Sequence, residues 1–170
     1  MILVLFVKAS NSLDKNEIES YESELEPNLM IYIEDFINLP EGGTSWKVFG
    51  DTGMDEYPIK DKDGNVWMGV RPNFTEEIKI LNTKEILVQG YMFPLDQEEK
   101  QSTFLLVPFP LSCPYHPHVM SNLIIEVHAT NPIDFSYDPI NIRGVLELVP
   151  NDDEFNIFFR IKKAESVYQK

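Results

Sequence analysis

The residues of this 170-residue chain best suited to chemistry are crowded together. Its only cysteine is Cys113, and its three histidines are His116, His118 and His128. The local run reads Leu111-Ser112-Cys113-Pro114-Tyr115-His116-Pro117-His118. A thiolate with two or three imidazoles is a donor set that zinc or copper accepts. Pro114 and Pro117 stiffen the loop and could aim its side chains at one point. Farther on, Leu123, Ile125 and Val127 alternate with Ile124, Glu126 and His128. On a strand that alternation puts Glu126 and His128 on one face. A carboxylate beside an imidazole can orient it or complete a ligand set.

Two other readings of the cluster stay open. The spacing matches none of the established zinc patterns. The plainer reading is a loop with a buried cysteine, its histidines solvated or bonded to backbone. The other is thiol redox chemistry, because Cys113-Pro114-Tyr115-His116 resembles a glutaredoxin-type Cys-Pro-Tyr-Cys whose second cysteine is replaced. That chemistry needs the cysteine at a helix N-terminus, which lowers its pKa. Here Pro117 follows at once, the chain enters a strand near Asn122, and no resolving cysteine exists. Elsewhere, Asp61-Lys62-Asp63-Gly64-Asn65 has the acidic start of a calcium loop, but its twelfth position is Pro72. It reads better as a hairpin turn. No phosphate-cradling glycine loop or nucleophile elbow occurs.

The elements that must position these residues are mostly strands. Leu29, Ile33, Phe36 and Ile37 fit one helical face before a loop at Pro40-Glu41-Gly42-Gly43. From residue 46 onward the pattern is nearly all strand. Trp46–Phe49 is a short one, and Lys62-Asp63-Gly64-Asn65 turns into Val66–Val70. Then come Glu85–Leu95, Ser102–Phe109, Asn122–Thr130, Ile140–Leu148 and Phe155–Ile161, separated by turn residues. Two strands share a glycine at their fifth place, Gly90 in Ile86–Met92 and Gly144 in Ile140–Leu146. A glycine there marks a bulge or bend that lets one strand serve two sheets. The expected fold is mainly β, an OB-like small β-barrel with a short N-terminal helical segment. Tyr91, Phe93, Phe104, Phe109 and Phe135 are expected in its core.

Composition narrows the partners. The net charge is −14, from 28 acidic and 14 basic residues, and residues 11–63 alone hold fourteen Asp and Glu against four Lys. An acidic field repels phosphate backbones and anionic membranes, so no nucleic-acid partner is expected. No stretch is long and apolar enough for a transmembrane span. The start, Ile2-Leu3-Val4-Leu5-Phe6-Val7 followed by Lys8, Ala9 and Ser10, resembles the end of a secretory signal without its basic region. The expected layout is a signal-peptide remnant over 1–10, a polar, helical segment over 11–40 and one barrel domain over 41–170. The expected location is the periplasm, with a cytoplasmic one left open.

Ordered blocks then bring a family into view. They are Val88-Gln89-Gly90-Tyr91-Met92-Phe93-Pro94-Leu95, Phe104-Leu105-Leu106-Val107-Pro108, the proline-rich loop of Cys113, Asn122-Leu123-Ile124-Ile125-Glu126-Val127, and Ile142-Arg143-Gly144-Val145-Leu146. In that order they resemble the bacterial domain-of-unknown-function family 3299 over about residues 40–150. Members of that family are usually exported or lipid-anchored, and some are encoded beside ABC-type transporter components. The resemblance therefore implies a non-enzymatic periplasmic binding or accessory protein, linked to a transporter, to another envelope protein or to metal handling. The family's histidine stands two residues after the cysteine, where this chain has Tyr115, so the fold transfers more directly than a metal site. The alternative is a metal- or thiol-dependent enzyme using Cys113 with His116 or His118. No cofactor is fixed by the sequence, and zinc or copper is the metal that a Cys113, His116, His118 and His128 site would take.

Overall fold

The computed structural model describes residues 29–60, 62–110 and 119–167. Cys113, His116 and His118 lie outside the described residues, as does the N-terminal run compared with a secretory signal. The described chain opens with a 3-10 helix, Leu29–Asp35. Ile33 and Ile37 are buried on the face expected for them. A short α-helix follows, α1 (Trp46–Gly50), where the sequence suggests a strand. Ser45 caps it, its hydroxyl accepting from Lys47 N at 3.2 Å. Trp46 and Phe49 then fall three apart on one helical face, and both are buried. Tertiary burial of that face overrides the strand preference of Trp, Val and Phe.

Strands β1 (Gly53–Lys60) and β2 (Val66–Asn73) form an antiparallel hairpin that stands apart as a sheet of its own. Its turn includes Gly64 at φ 89°, the positive φ expected of the Asp-Gly pair. Helix α2 (Glu76–Leu81) interrupts the span expected to be nearly all strand. Thr75 Oγ1 accepts from Ile78 N at 3.3 Å, and Glu76 and Glu77 lie at the positive end of the helix.

Five strands close the barrel: β3 (Glu85–Pro94), β4 (Lys100–Val107), β5 (Ile125–Asp134), β6 (Ile140–Leu148) and β7 (Phe159–Ser166). They are arranged around the barrel in the order β3-β4-β5-β7-β6, all neighbours antiparallel except β5 and β7. This is the OB-like small β-barrel expected, with five strands closing it. The last strand begins later than expected, because Asp152 Oδ1 accepts from Glu154 N and Phe155 N and holds that segment in a turn.

The two strand glycines do what their positions suggest. β3 pairs with β6 through Gly90 and with β4 from Tyr91 onward, so Gly90 is where one strand passes from one neighbour to the other. A Cβ there would stand 2.7 Å from Leu106 Cγ. At Gly144 the β6–β7 register shifts, and a Cβ would stand 2.5 Å from Ile161 Cγ2 and 2.8 Å from Lys162 O.

Inside, Val88, Phe104, Leu106, Ile125, Val127, Ile142, Leu146, Phe159 and Ile161 are wholly buried. Each such side chain contributes about 1.5–3 kcal/mol relative to exposure. Phe104 and Phe109 are core as expected, Tyr91 and Phe135 are half-buried, and Phe93 is 40% exposed on the outer side of β3.

Strand direction sorts the loops to two ends. β3, β5 and β7 run one way, and β4 and β6 run the other. Loops 95–99 and 135–139 therefore share one end, here called upper. Residues 108–110, 119–124 and 149–158 share the lower end.

Candidate functional site

The lower end holds Glu126 and His128, near the start of β5, whereas Cys113, His116 and His118 lie outside the described residues. Described residues on either side of that span are anchored. Phe109 is buried, and Asn122 Nδ2 donates to Gly50 O at 2.8 Å and Thr52 O at 3.3 Å, tying the approach to β5 to α1. Glu126 and His128 share the outer face of β5 as expected, with His128 Nε2 3.1 Å from Glu126 Oε2. That distance is within ion-pair range, yet no hydrogen bond is aligned, and Nε2 has no hydrogen-bond partner among the described residues.

Glu126 has a stronger partner that the sequence does not reveal. Arg160, directly across on β7, donates through Nε to Glu126 Oε2. Arg160 Nη1 also reaches Glu147 Oε2 on β6 at 3.4 Å, and Lys162 Nζ meets Glu147 Oε1 at 2.7 Å. Burial draws the Arg160 guanidinium down, but Glu126 and then Glu147 outweigh it, so it stays above its ordinary value. The Lys162 hydrogen bond leads in holding the Glu147 carboxyl below its ordinary value, against a smaller effect of burial. This charged ladder ties three strands together at the lower end. A metal ion at Glu126 would compete with Arg160 for the same oxygen. Among the described residues, no three His, Cys, Asp or Glu side chains converge on a metal position.

The hairpin is the other feature of the lower end. A lone two-stranded sheet is marginally stable in water. This one is clamped at its base to loop 149–158. Tyr57 Oη donates to Asp153 Oδ1, Arg71 Nε donates to Asn151 Oδ1 at 3.0 Å, and Val70 N donates to Asn156 Oδ1 at 3.2 Å. The Arg71 guanidinium carbon lies 3.9 Å above the Tyr57 ring centre, a cation–π contact. The Asp153 bond is the leading cause that raises the Tyr57 phenol above its ordinary value. The protonated phenol therefore keeps this one hydrogen bond of the clamp, which is lost as pH rises through that raised value. Beyond the base the hairpin projects as an arm. Val66, Trp67 and Met68 are 62%, 45% and 56% exposed. Their signal was present in the sequence as an apolar run after a turn, but burial cannot be read from that pattern.

The family model for DUF3299, a protein family of unknown function, matches residues 55–168. The chain belongs to the DUF3299 family. The matched span takes in most of the arm, the whole barrel and the Cys113 segment, so the family resemblance read from the strand blocks holds. Among solved structures, a DUF3299 family protein from Pseudomonas aeruginosa PAO1 is similar at 26% identity with a TM-score of 0.43. That match covers 54% of this chain and 66% of the other, just under two thirds of its length. Curated proteins give no match. Among the described residues of this DUF3299 chain, no helix is long and apolar enough to cross a membrane.

Proposed function

We propose that this DUF3299 chain is a non-enzymatic binding or accessory protein of the bacterial periplasm, and that it holds an envelope or transporter protein through the hairpin arm. The observation carrying this reading is that Val66, Trp67 and Met68 are all exposed on an arm whose base is clamped, Val66 and Met68 on one face of the hairpin and Trp67 on the other. Exposed apolar side chains grouped on a rigid element mark interaction sites, and tryptophan is enriched where binding energy concentrates. The partner that fits is a protein surface with an apolar pocket for Trp67. The paired strands leave outer edges to which a partner strand could add.

The test uses the full chain in its native cell. The chain is expected in the periplasmic fraction, co-purifying with the same envelope protein in repeated preparations. That protein should be lost from Trp67→Asp and Met68→Asp variants that still fold. A chain confined to the cytoplasm, or a partner retained by both variants, overturns the reading.

A second reading, metal handling, is favoured by one observation. His128 Nε2 has no hydrogen-bond partner among the described residues and lies toward the lower end of β5. Cys113, His116 and His118 would supply the remaining donors to zinc or copper. Elemental analysis of untagged protein should then find about one metal per chain, lost in Cys113→Ser and His118→Ala. No metal in any sample removes this reading. It also removes the metal-dependent form of the enzyme alternative, which needs an open coordination position at the same residues.

A further inference from the structure

We infer that the outer edge of β2, near the arm's tip, takes up one extended strand of the partner, apolar at alternate positions and ending in a basic residue. The inference rests on the arm reading above and names the part of the arm that binds. Val66 and Met68 lie on one face of the hairpin and Trp67 on the other. A partner laid against one face would miss one of these groups. A strand added to the edge meets both, because its own side chains alternate between the faces.

Backbone direction selects the edge. Val70 N donates away from β1, to Asn156 Oδ1. Groups two residues apart on a strand point the same way, so the N–H and C=O of Val66 and Met68 also point away from β1. Antiparallel pairing turns the backbone groups of their opposite residues, Lys60 and Pro58, outward on the other side. Pro58 and Pro72 both fit this pattern, each standing where an N–H would face outward rather than into the ladder. Among the described residues, neither Val66 N nor Met68 N bonds to a residue outside the arm.

The two edges of the arm are unlike. The β1 edge is interrupted by Pro58, with the charged Glu56 and Lys60 on either side of it. Proline and charge are what keep an exposed edge from pairing. The β2 edge is closed only toward its base, by Asn156 at Val70 and by Pro72 beyond it. From Val66 to Met68 it carries neither proline nor charge, and all three side chains are exposed.

The surroundings of that edge narrow the strand. Past Met68 it runs toward turn 152–156, which Asn156 N closes by donating to Asp152 O at 3.1 Å. Asp153 and Glu154 are exposed on this turn, and Phe155 is 69% exposed. Arg71 is turned to Asn151 and the Tyr57 ring. A Lys or Arg at the end of the added strand nearest the arm's base would therefore meet carboxylates. A second copy of the chain does not fit, because each copy carries a net charge of −14 and the two repel.

The experiment follows hydrogen exchange of the arm's amides in the full chain. The probe is acetyl-Arg-Val-Thr-Val-Thr-Val-Arg-amide, and its control is the same peptide with Glu for both Arg. The Arg peptide should protect Val66 and Met68 N–H saturably, and the Glu peptide should bind about tenfold more weakly. Met68→Ala keeps the backbone N–H and Met68→Pro removes it, so the proline variant should bind about tenfold more weakly than the alanine one. Glu56→Pro makes the same change on the β1 edge and should leave binding unchanged. Trp67 N–H points into the ladder and should stay protected in each variant. Protection of Val66 and Met68 in the unaltered chain decides the question even where a variant loses its hairpin. No protection at millimolar peptide, equal binding of the two peptides, equal binding by Met68→Pro and Met68→Ala, or protection that rises with protein concentration alone would overturn the inference. The arm reading is scored separately in the cell. A partner lost from Trp67→Asp but kept by Met68→Pro overturns the edge alone, and one kept by both overturns the arm as well.

Discussion

Strands β6 and β2 are built from similar residues and meet opposite fates. In β6, Ile142 and Leu146 are wholly buried, with Gly144 between them pressed against β7. In β2, Val66, Trp67 and Met68 are all exposed on a hairpin that no barrel strand pairs with. The apolar content of β6 is accounted for by the fold. That of β2 is not, since the barrel closes without it. The barrel is thus the part that stabilises, and the arm is the part to which the proposed function assigns a partner. Substitutions should separate the two roles.

The largest effect is expected at the joint of the core. Phe159 is wholly buried and meets Phe49 of α1 edge-on at 5.1 Å. Phe159→Ala should lose about 3–5 kcal/mol in urea unfolding. Next is Gly144→Ala, whose new methyl would meet Ile161 and the Lys162 carbonyl. Overpacking there should lower stability by about 1–3 kcal/mol, and a neutral outcome would mean that the close approach is not tight.

A smaller effect comes from the charged ladder. The Glu147 carboxyl is held below its ordinary value, so its contribution is present above the unfolded value and fades as pH falls through the folded one. Wild type and Glu147→Gln should therefore differ in stability at neutral pH and converge in acid. Curves that stay parallel across that range would remove Glu147 from the ladder. The smallest effect on stability belongs to the arm. Trp67→Ala should change it by less than about 0.5 kcal/mol while abolishing partner binding. A large loss of stability would return Trp67 to the fold and weaken the contrast.

Much of the barrel was legible because its strands carry Val, Ile and Phe between clear turn signals, and because Gly90 and Gly144 interrupt them at matching places. Helix α1 was not, since Trp46, Val48 and Phe49 prefer strands and only burial makes them helical. Helix α2 was missed although Thr75-Glu76-Glu77 is a start signal visible in the sequence. For the site, the shared face of Glu126 and His128 follows from strand alternation alone. Arg160 and Glu147 come from other strands, and pairing between distant strands is not encoded in local pattern.

The most direct test of the arm's role is site-specific photo-crosslinking in the native cell, with p-benzoylphenylalanine replacing Trp67 and, in a second strain, the exposed barrel residue Ser102. The account predicts one discrete adduct with an envelope protein from position 67 and none from position 102. Equal adducts from both positions, or none from position 67, would contradict it.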